Sequence, residues 1–489
     1  MTQICVPLSP ANDKECCDAM AHLASRCDLF EIRADAFQER PDLPLIFKRA
    51  TRPVIWTHRC PEEGGRHNPR QRDRLQEYRR ALDCGVNWID VEWRSGLAEP
   101  LRAFADKTVL SLHDFGKTPH DLLHCIRQMT EVPCGVVKVA TRVERTEDLL
   151  RLIECAHWLL SQGKRVVVLG LGDDGKPIRV LSPLLGCEWT YAALDTPTAP
   201  GQLTESDLEL YRFTALGRQT RLFAVIGNPI AHSRSPWFHN SAYQTMNLNA
   251  VYVAIRVDNL DAYLKLAQQM NISGWSVTLP WKTEVAGRCL LQDEASRRSG
   301  VVNTVRPDGD RYLGWNTDWA GFIEPIRKRC PVGHLRACVL GTGGVARTAV
   351  AALISEGAQV TVLGRRLEVL HLLENEFRIE TGLLEDSPEV SGDLIVNATS
   401  VGMSPAIDAM PVPDSLLERF QIAYDLVYTP PLTSFLRNAR QLGLQTISGW
   451  EMFVQQAAEQ VRIFTGNLPP REWLEGLTQR RKDAETPGG

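Results

Sequence analysis

Long apolar runs, paired cysteines and an excess of either charge are all missing from this sequence. No stretch approaches the roughly 18 consecutive apolar residues that a membrane-crossing helix needs. No cationic leader with an apolar core precedes the first strand-like segment, Thr2 to Leu8. With 55 Lys and Arg against 59 Asp and Glu the formal net charge is −4, which gives no electrostatic case for nucleic acid or for an anionic membrane surface. The 13 cysteines are an odd number, scattered singly apart from Cys16 and Cys17, and no Cys-x-x-Cys accompanies a spaced histidine pair. That pattern argues for reduced thiols rather than a disulfide framework or a zinc site, and no metal-ligand set is evident. The expectation is a soluble, cytoplasmic protein acting on small molecules.

At 489 residues the chain exceeds the roughly 250 to 300 residues at which one core stops growing, so at least two domains are expected. In the first half, eight short β-branched or apolar runs read as strands: Ile4–Leu8, Leu29–Ala34, Val54–Thr57, Trp88–Trp93, Val109–Leu112, Val136–Ala140, Val166–Leu169 and Trp189–Leu194. Amphipathic stretches such as Asp121–Met129 and Asp148–Gln162 read as helices between them. Eight βα repeats in about 210 residues predict a (β/α)8 barrel rather than a doubly wound sheet.

Barrel chemistry sits where strands end at their carboxyl side. That rule selects Glu31, Arg33 and Asp35 after the second strand, Arg59, Glu62 and Glu63 after the third, Glu92 on the fourth, His113 and Asp114 on the fifth, and Lys138 inside the sixth. A lysine between apolar neighbours in a buried strand is driven towards the neutral amine, the form that attacks a carbonyl to make a Schiff base. With His113 as general acid or base, it makes a site for proton abstraction beside a ketone. Arg33, Arg59 and Arg179 point to an anionic, hydroxyl-rich substrate. The residues alone leave a class I aldolase and an imine-forming dehydratase tied.

Glu31-Ile32-Arg33-Ala34-Asp35, Thr57-His58-Arg59 running to Glu63-Gly64-Gly65, Ser111-Leu112-His113-Asp114-Phe115, Lys138-Val139-Ala140 and Ala199-Pro200-Gly201-Gln202 resemble type I 3-dehydroquinate dehydratase, in family order over residues 1 to 216. The resemblance implies that Lys138 forms an imine with the C3 ketone, that His113 removes a C2 proton and later protonates the departing C1 hydroxyl, and that Glu63 orients His113. It implies that Glu31, Arg33 and Arg59 hold ring hydroxyls or the carboxylate, and that Arg179, Thr198 and Gln202 close over the carboxylate end. Thr198 stands where the family commonly has Ser.

Thr204 is an N-cap candidate for an eighth helix reaching Leu216-Gly217, and Arg218–Arg221 remain as a short linker. Beyond it the α/β alternation restarts. Ala337-Cys338-Val339-Leu340, then Gly341-Thr342-Gly343-Gly344-Val345-Ala346 and an apolar helix, form a strand, glycine-rich turn and helix suited to a pyrophosphate. The next strand runs into Gly364-Arg365-Arg366, where an acid would select NAD and arginine selects the 2′-phosphate, so NADP is the predicted cofactor. Ahead of this unit lie four polar clusters suited to a polyol carboxylate: around Ser233 and Ser235, Thr278 to Lys282, Val302-Asn303-Thr304, and Asn316-Thr317-Asp318.

Together with Asn397-Ala398-Thr399-Ser400, Tyr424 to Pro430, Gly449-Trp450-Glu451-Met452 and Gln455-Gln456, these clusters resemble shikimate dehydrogenase from about Phe223 to Gly466. The resemblance implies that Lys282 and Asp318 are the catalytic pair, with Lys282 moving the proton on the C3 oxygen. It implies substrate binding by Ser233, Ser235, Thr278, Asn303, Tyr428 and Gln456. It also implies NADP binding by Gly341, Gly343, Gly344, Arg365, Arg366, Thr399, Gly449 and Met452. The family usually reads Asn-Arg-Thr where this chain has Gly364-Arg365-Arg366.

The two resemblances compose one α/β chain: a barrel over 1–217, a linker at 218–221, a two-lobed dehydrogenase with its substrate lobe at 222–328 and Rossmann-type NADP lobe at 329–448, C-terminal helices at 449–478, and a disordered tail from 479 to 489. The implied function is conversion of 3-dehydroquinate to 3-dehydroshikimate and its reduction to shikimate. Two alternatives are a catalytically dead ligand-sensing regulator, which the four catalytic residues and the lack of a basic recognition element disfavour, and quinate dehydrogenase activity in the second half. Oligomeric state is not legible.

Overall fold

The computed structural model describes residues 1–66, 70–194, 201–386 and 390–477, and the chain divides into two compact units. One unit comprises Met1–Ala224, Ile230–Asn240 and Asn249–Ile272; the other comprises Val225–Pro229, Ser241–Leu248 and the described part of Ser273–Gly489.

In the first unit β1 (Gln3–Leu8), β2 (Leu29–Arg33), β3 (Val54–Thr57), β4 (Trp88–Glu92), β5 (Thr108–Asp114), β6 (Val136–Arg142), β7 (Val166–Leu171) and β8 (Trp189–Ala193) occupy the eight segments read as strands. They are parallel and ordered 7-6-5-4-3-2-1-8, so β1 pairs with both β2 and β8 and the sheet curls round on itself. The seam lies between β7 and β8. There Glu188 N–H donates to Val166 O at 2.8 Å, while the carboxyl end of β8 is paired instead with β9 (Leu203–Thr204).

Alternation along the strands sorts the interior into layers. Leu29, Val109, Val136 and Trp189 join Cys5, Ile55 and Val167 in one apolar cluster, with Trp88 packed against it. Two residues further along four of these strands stand Glu31, Asp90, Lys138 and Tyr191, all buried. The apolar floor therefore seats a polar layer above it, towards the carboxyl ends of the strands.

Local chemistry moves two expected helix boundaries. The helix Thr146–Ser161 begins two residues early because Asp148 turns back to accept from the N–H groups of Glu144 and Arg145, both at 3.0 Å. Thr204 does cap a helix, but Glu205–Leu210 stops well short of Leu216. Arg212 adopts the left-handed region at φ 49° and a single 3-10 turn, Phe213–Ala215, fills the interval.

Further along the chain come β10 (Arg221–Gly227) and β11 (Ala250–Arg256). In the second unit β12 (Gly274–Val277), β13 (Leu290–Leu291), β14 (Thr304–Asp308) and β15 (Arg311–Trp315) follow, with β14 antiparallel to both β12 and β15 and β13 parallel to β15. Then β16 (Arg336–Leu340), β17 (Gln359–Gly364), β18 (Glu380–Leu383), β19 (Leu394–Asn397), β20 (Ile422–Asp425) and β21 (Gln445–Ile447) form a parallel sheet in the order 18-17-16-19-20-21. Strand order reverses between β16 and β19, where doubly wound sheets open a crevice. Phe322, Ala349, Leu353 and Met452 bury one face of this sheet, and Leu416, Phe435 and Leu436 bury the other.

All thirteen cysteines are free. Among the described residues no helix is long and apolar enough to cross a membrane, and no cluster of potential metal ligands occurs. Phe435→Ala removes a ring that is 1% exposed and should cost about 3–5 kcal/mol. Urea unfolding followed by circular dichroism should show the second unit's transition at a lower denaturant concentration.

Candidate active sites

Lys138 reaches its position because β6 alternates: Val136 and Ala140 lie in the apolar floor cluster and the lysine projects from the same side between them. Its ammonium donates to Glu31 Oε2 and Asp90 Oδ2, both at 2.9 Å, and lies 2.8 Å from the Tyr191 hydroxyl, which donates to the same Glu31 oxygen. The amine's surroundings are thus two carboxylates as well as apolar strand neighbours. Arg59 meets Asp90 Oδ2 at 2.9 Å and donates to Ser111 Oγ at 2.8 Å, and Ser111 donates to Asp90 Oδ1 at 2.6 Å. Burial alone would push Asp90 up; Arg59 first and Lys138 next reverse this, and its carboxyl is held well below the usual range. Glu31 is lowered against burial chiefly by Lys138.

His113 is the penultimate residue of β5, two residues beyond Ser111, and Ser111 is in register with Lys138. Its Nδ1 lies 3.0 Å from Glu63 Oε2, and the same oxygen accepts the His113 backbone N–H at 3.0 Å. One carboxylate therefore fixes both ring and backbone, and Nε2 has no partner among the described residues. Burial, then Arg59 and Lys138, hold the imidazole well below its ordinary value, so it is neutral and able to take a proton. Burial pushes Glu63 up to about 7.

The arginines divide by role. Arg59 is committed to Asp90 and Ser111. Arg33 makes a two-pronged pair with Asp35, 2.8 Å at each contact, and donates to Gly64 O at 3.0 Å. Arg179 is 2% exposed, donates through Nε to Gly170 O at 2.8 Å, and has no carboxylate partner among the described residues. Burial pulls it down to about 10. An unpaired buried guanidinium is costly unless an anion completes it, so Arg179 fits the carboxylate-binding role. Gln202 is half-buried, and Thr198 lies outside the described residues.

In the second unit Lys282 Nζ donates to Asp318 Oδ2 at 2.5 Å, with only 15% and 8% of the two side chains exposed. Lys282 opens a short helix after β12, and Asp318 opens the helix Asp318–Arg327 after β15. Nearby, the Asn303 amide donates to Thr317 Oγ1 at 3.0 Å and to Gln456 Oε1 at 3.5 Å, while its oxygen accepts from Thr304 Oγ1 and Thr317 N–H. Thr278 is half-buried on the loop after β12. Tyr428 stacks on Phe453 at 5.0 Å. Ser233 and Ser235 belong to the first unit, where Ser233 Oγ accepts the Ser235 N–H at 3.3 Å.

The glycine-rich turn sits at the strand-order reversal. A Cβ on Gly341, whose φ is +113°, would stand 3.0 Å from Ala398 O and 3.1 Å from Thr399 Cγ2, so the turns after β16 and β19 touch. A Cβ on Gly344 would abut the Lys282 stem at 3.6 Å, which places the start of the helix Gly344–Ser355 beside the Lys282–Asp318 pair. That helix has no side-chain cap, leaving its first-turn amides available to an anion. Arg365 and Arg366, just past β17, are exposed and have no ion-pair partner among the described residues. The donor set fits a dinucleotide with a phosphate on its ribose. Thr399 is fixed by Asn397 Oδ1 at 2.7 Å, Gly449 opens the helix Gly449–Thr465, and Met452 is buried in the sheet's core.

Three participants escaped the sequence reading: Asp90, Ser111 as a polar contact, and Tyr191. The signal was present as spacing, since Asp90 precedes Glu92 by two in an apolar strand and Tyr191 follows Trp189 by two. Both fall on the inward face that Lys138 shares.

The model of the type I 3-dehydroquinase family matches residues 4–217. The shikimate dehydrogenase substrate binding domain matches residues 225–305, and the shikimate 5'-dehydrogenase C-terminal domain matches residues 449–472. A chloroplastic bifunctional 3-dehydroquinate dehydratase/shikimate dehydrogenase from Arabidopsis thaliana is 31% identical over 506 residues, covering 96% of this chain and 83% of its own length. A shikimate dehydrogenase (NADP(+)) from Syntrophobacter fumaroxidans is 37% identical over 50% of this chain and 86% of its own. Among solved structures, a chorismate mutase/shikimate 5-dehydrogenase fusion from Clostridium acetobutylicum superposes with a TM-score of 0.51 at 27% identity, covering 54% of this chain and 98% of that one. A shikimate dehydrogenase in complex with NADP+ gives 0.50 at 30% identity, covering 55% and 98%.

The His113–Glu63 pair has a pH signature of mixed sign. His113 titrates lower in the folded chain, so its contribution to stability is full above pH 6.5 and is lost as pH falls from there through its lowered folded value. Glu63 is raised from 4.5 to about 7, so its contribution is present below pH 4.5 and lost as pH rises through 7. A histidine-labelled NMR titration, assigned with His113→Asn, should find the His113 ring still neutral at pH 6; a midpoint at 6.5 or above would contradict the electrostatic account.

Proposed function

Because the chain belongs to the family of bifunctional 3-dehydroquinate dehydratase/shikimate dehydrogenases, we propose that it dehydrates 3-dehydroquinate and then reduces the product, 3-dehydroshikimate, to shikimate with NADPH. The observation that carries the reading is Lys138, sunk in the curled parallel sheet between two carboxylates and one strand from a neutral, carboxylate-oriented histidine.

In the first reaction Glu31 and Asp90 hold Lys138 in place in the interior, and its amine, once it has lost a proton, attacks the C3 ketone. The imine draws electrons from C2, His113 removes a proton there, and the same imidazole returns it to the C1 hydroxyl as water leaves. Hydrolysis of the imine then frees Lys138. Arg179 and Gln202 hold the carboxylate, a role the resemblance extends to Thr198; Arg33 and Glu31 take ring hydroxyls, and Arg59 keeps Asp90 ionised beneath the amine.

In the second reaction NADPH, when bound, supplies the hydride. Lys282 gives the proton to the C3 oxygen and Asp318 fixes the ammonium in place. Ser233, Ser235, Thr278, Asn303, Tyr428 and Gln456 bind the carboxylate and hydroxyls. Gly341, Gly343, Gly344 and the helix amides receive the pyrophosphate, Arg365 and Arg366 the 2′-phosphate, and Thr399, Gly449 and Met452 the nicotinamide end. The corresponding domains are 1–217, a substrate lobe at 222–328 and a nucleotide lobe at 329–448 completed by 449–478. The thirteen free cysteines support a cytoplasmic location.

Two variants separate the halves in a coupled assay. Lys138→Ala should abolish dehydration and lose the covalent adduct that borohydride traps with 3-dehydroquinate, while oxidising shikimate normally. Lys282→Ala should do the reverse, lowering the dehydrogenase kcat by about 10²–10⁴-fold; an unmodified Lys138 peptide from active, reduced enzyme would sink the imine mechanism. Arg365→Ala should lower kcat/KM for NADP by about 10- to 100-fold, the worth of one hydrogen bond between charged groups, and leave the NAD reaction nearly unchanged.

A further inference from the structure

The end of β11 grips two loops at the carboxyl face of the curled sheet, all within the first compact unit. Arg256 Nε donates to Asp174 Oδ2 at 2.7 Å, and its NH2 group donates to Glu144 O. Asp258 Oδ1 accepts from Thr146 N–H at 2.9 Å and Thr146 Oγ1 at 2.6 Å. Asn259 donates to Glu147 at 2.6 Å. Glu144 to Glu147 follow β6, the lysine strand; Asp174 follows β7 and leads into the short helix Lys176–Val180, which carries Arg179.

Asp174 stands in a tight structure. A Cβ on Gly170 would come within 2.6 Å of the Gly175 backbone, so the two ends of this turn touch directly. Gly170 O is the acceptor that fixes Arg179 Nε. A Cβ on Gly201 would come within 2.2 Å of Gly172 O, so the Gly201-Gln202 stretch rests on the same turn. Arg142, at the end of β6, lies over it too, with Nε 3.6 Å from where a Gly172 Cβ would be. A displacement of Asp174 therefore has no soft element to absorb it before Arg179 and Gly201 move.

We propose that Arg256, supported by Asp258 and Asn259, is a positioning residue for the dehydratase site: residues matched by the shikimate dehydrogenase substrate binding domain hold the turn that presents Arg179 and Gln202 to the substrate carboxylate. The inference rests on the dehydratase assignment proposed above. It concerns substrate binding rather than chemistry, since Lys138 and His113 are anchored by other contacts. Loss of the grip weakens ground state and transition state alike, which raises KM and spares kcat.

The test uses full-length enzyme carrying Arg256→Ala, Asp174→Asn, both together, or Arg256→Lys, with dehydration of 3-dehydroquinate and oxidation of shikimate measured separately. Each single loss should raise the dehydratase KM about five- to tenfold, the scale of one partly exposed ion pair with a carbonyl contact, with kcat within twofold. The double variant should be no worse than the worse single, and Arg256→Lys should recover part of the loss. Unchanged KM in an active enzyme, or additive losses in the double variant, would overturn the positioning role. So would an equal fall in kcat for both reactions accompanied by a lower melting temperature, which marks a purely structural contact. Wild-type enzyme without dehydratase activity would instead sink the assignment on which the inference rests.

Discussion

Charge compensation in a dry interior governs the dehydratase half. Lys138, Arg59, Glu31 and Asp90 are each less than 5% exposed, and none could be there alone, because an unpaired buried ion costs several kcal/mol. Together they close a network in which Asp90 receives both cations, at 2.9 Å each. The lysine's usefulness follows from that arrangement. Its carboxylate partners hold it in the polar layer at 2.9 Å each. Burial first, and then the same two cations, keep His113 neutral across the gap.

The dehydrogenase half solves a related problem with fewer groups. Lys282 has one close carboxylate among the described residues, Asp318, and both sit at helix starts rather than inside a strand. A helix start is fixed by backbone, so the pair needs no surrounding network to stay in place. What surrounds it instead is uncharged: Asn303, Thr317, Thr304 and Gln456 satisfy one another's donors and acceptors. A polyol offers the same kinds of groups, and can exchange for them at little cost. The glycine turn beside Lys282 brings backbone amides to the same place without adding a charge.

Much of this was legible in the residues because strand alternation and motif spacing are local. The eight strands of the curled sheet and the order of the nucleotide fold follow from short segments read in order, whereas the His113–Glu63 contact and the Lys282–Asp318 pair were expected only from the family resemblance. What escaped were contacts made across the sheet. Asp90 and Tyr191 look unremarkable in sequence, one acid before another and one aromatic after another, until β4 and β8 face β6 across the interior. The expected simple apolar burial of Lys138 fails for the same reason: flanking residues report the strand's own neighbours, and the partners come from other strands. The early end of the helix after Thr204 had no advance signal, since Arg212 carries no preference for the left-handed region.

The boundary between the halves has to be read in two ways. As chain, it falls near Gly217 to Arg221, where one family match ends and the next begins. As packing, it falls elsewhere, since Ile230–Asn240 and Asn249–Ile272 cluster with the curled sheet. The helices Thr146–Ser161 and Leu260–Gln269 pack together, and Gln269 reaches Glu154 at 3.2 Å. A segment matched by the shikimate dehydrogenase substrate binding domain is therefore also part of the compact body that holds the curled sheet. In this fusion β11 and the helix after it thus belong to one family match by sequence and to the body of the other by packing.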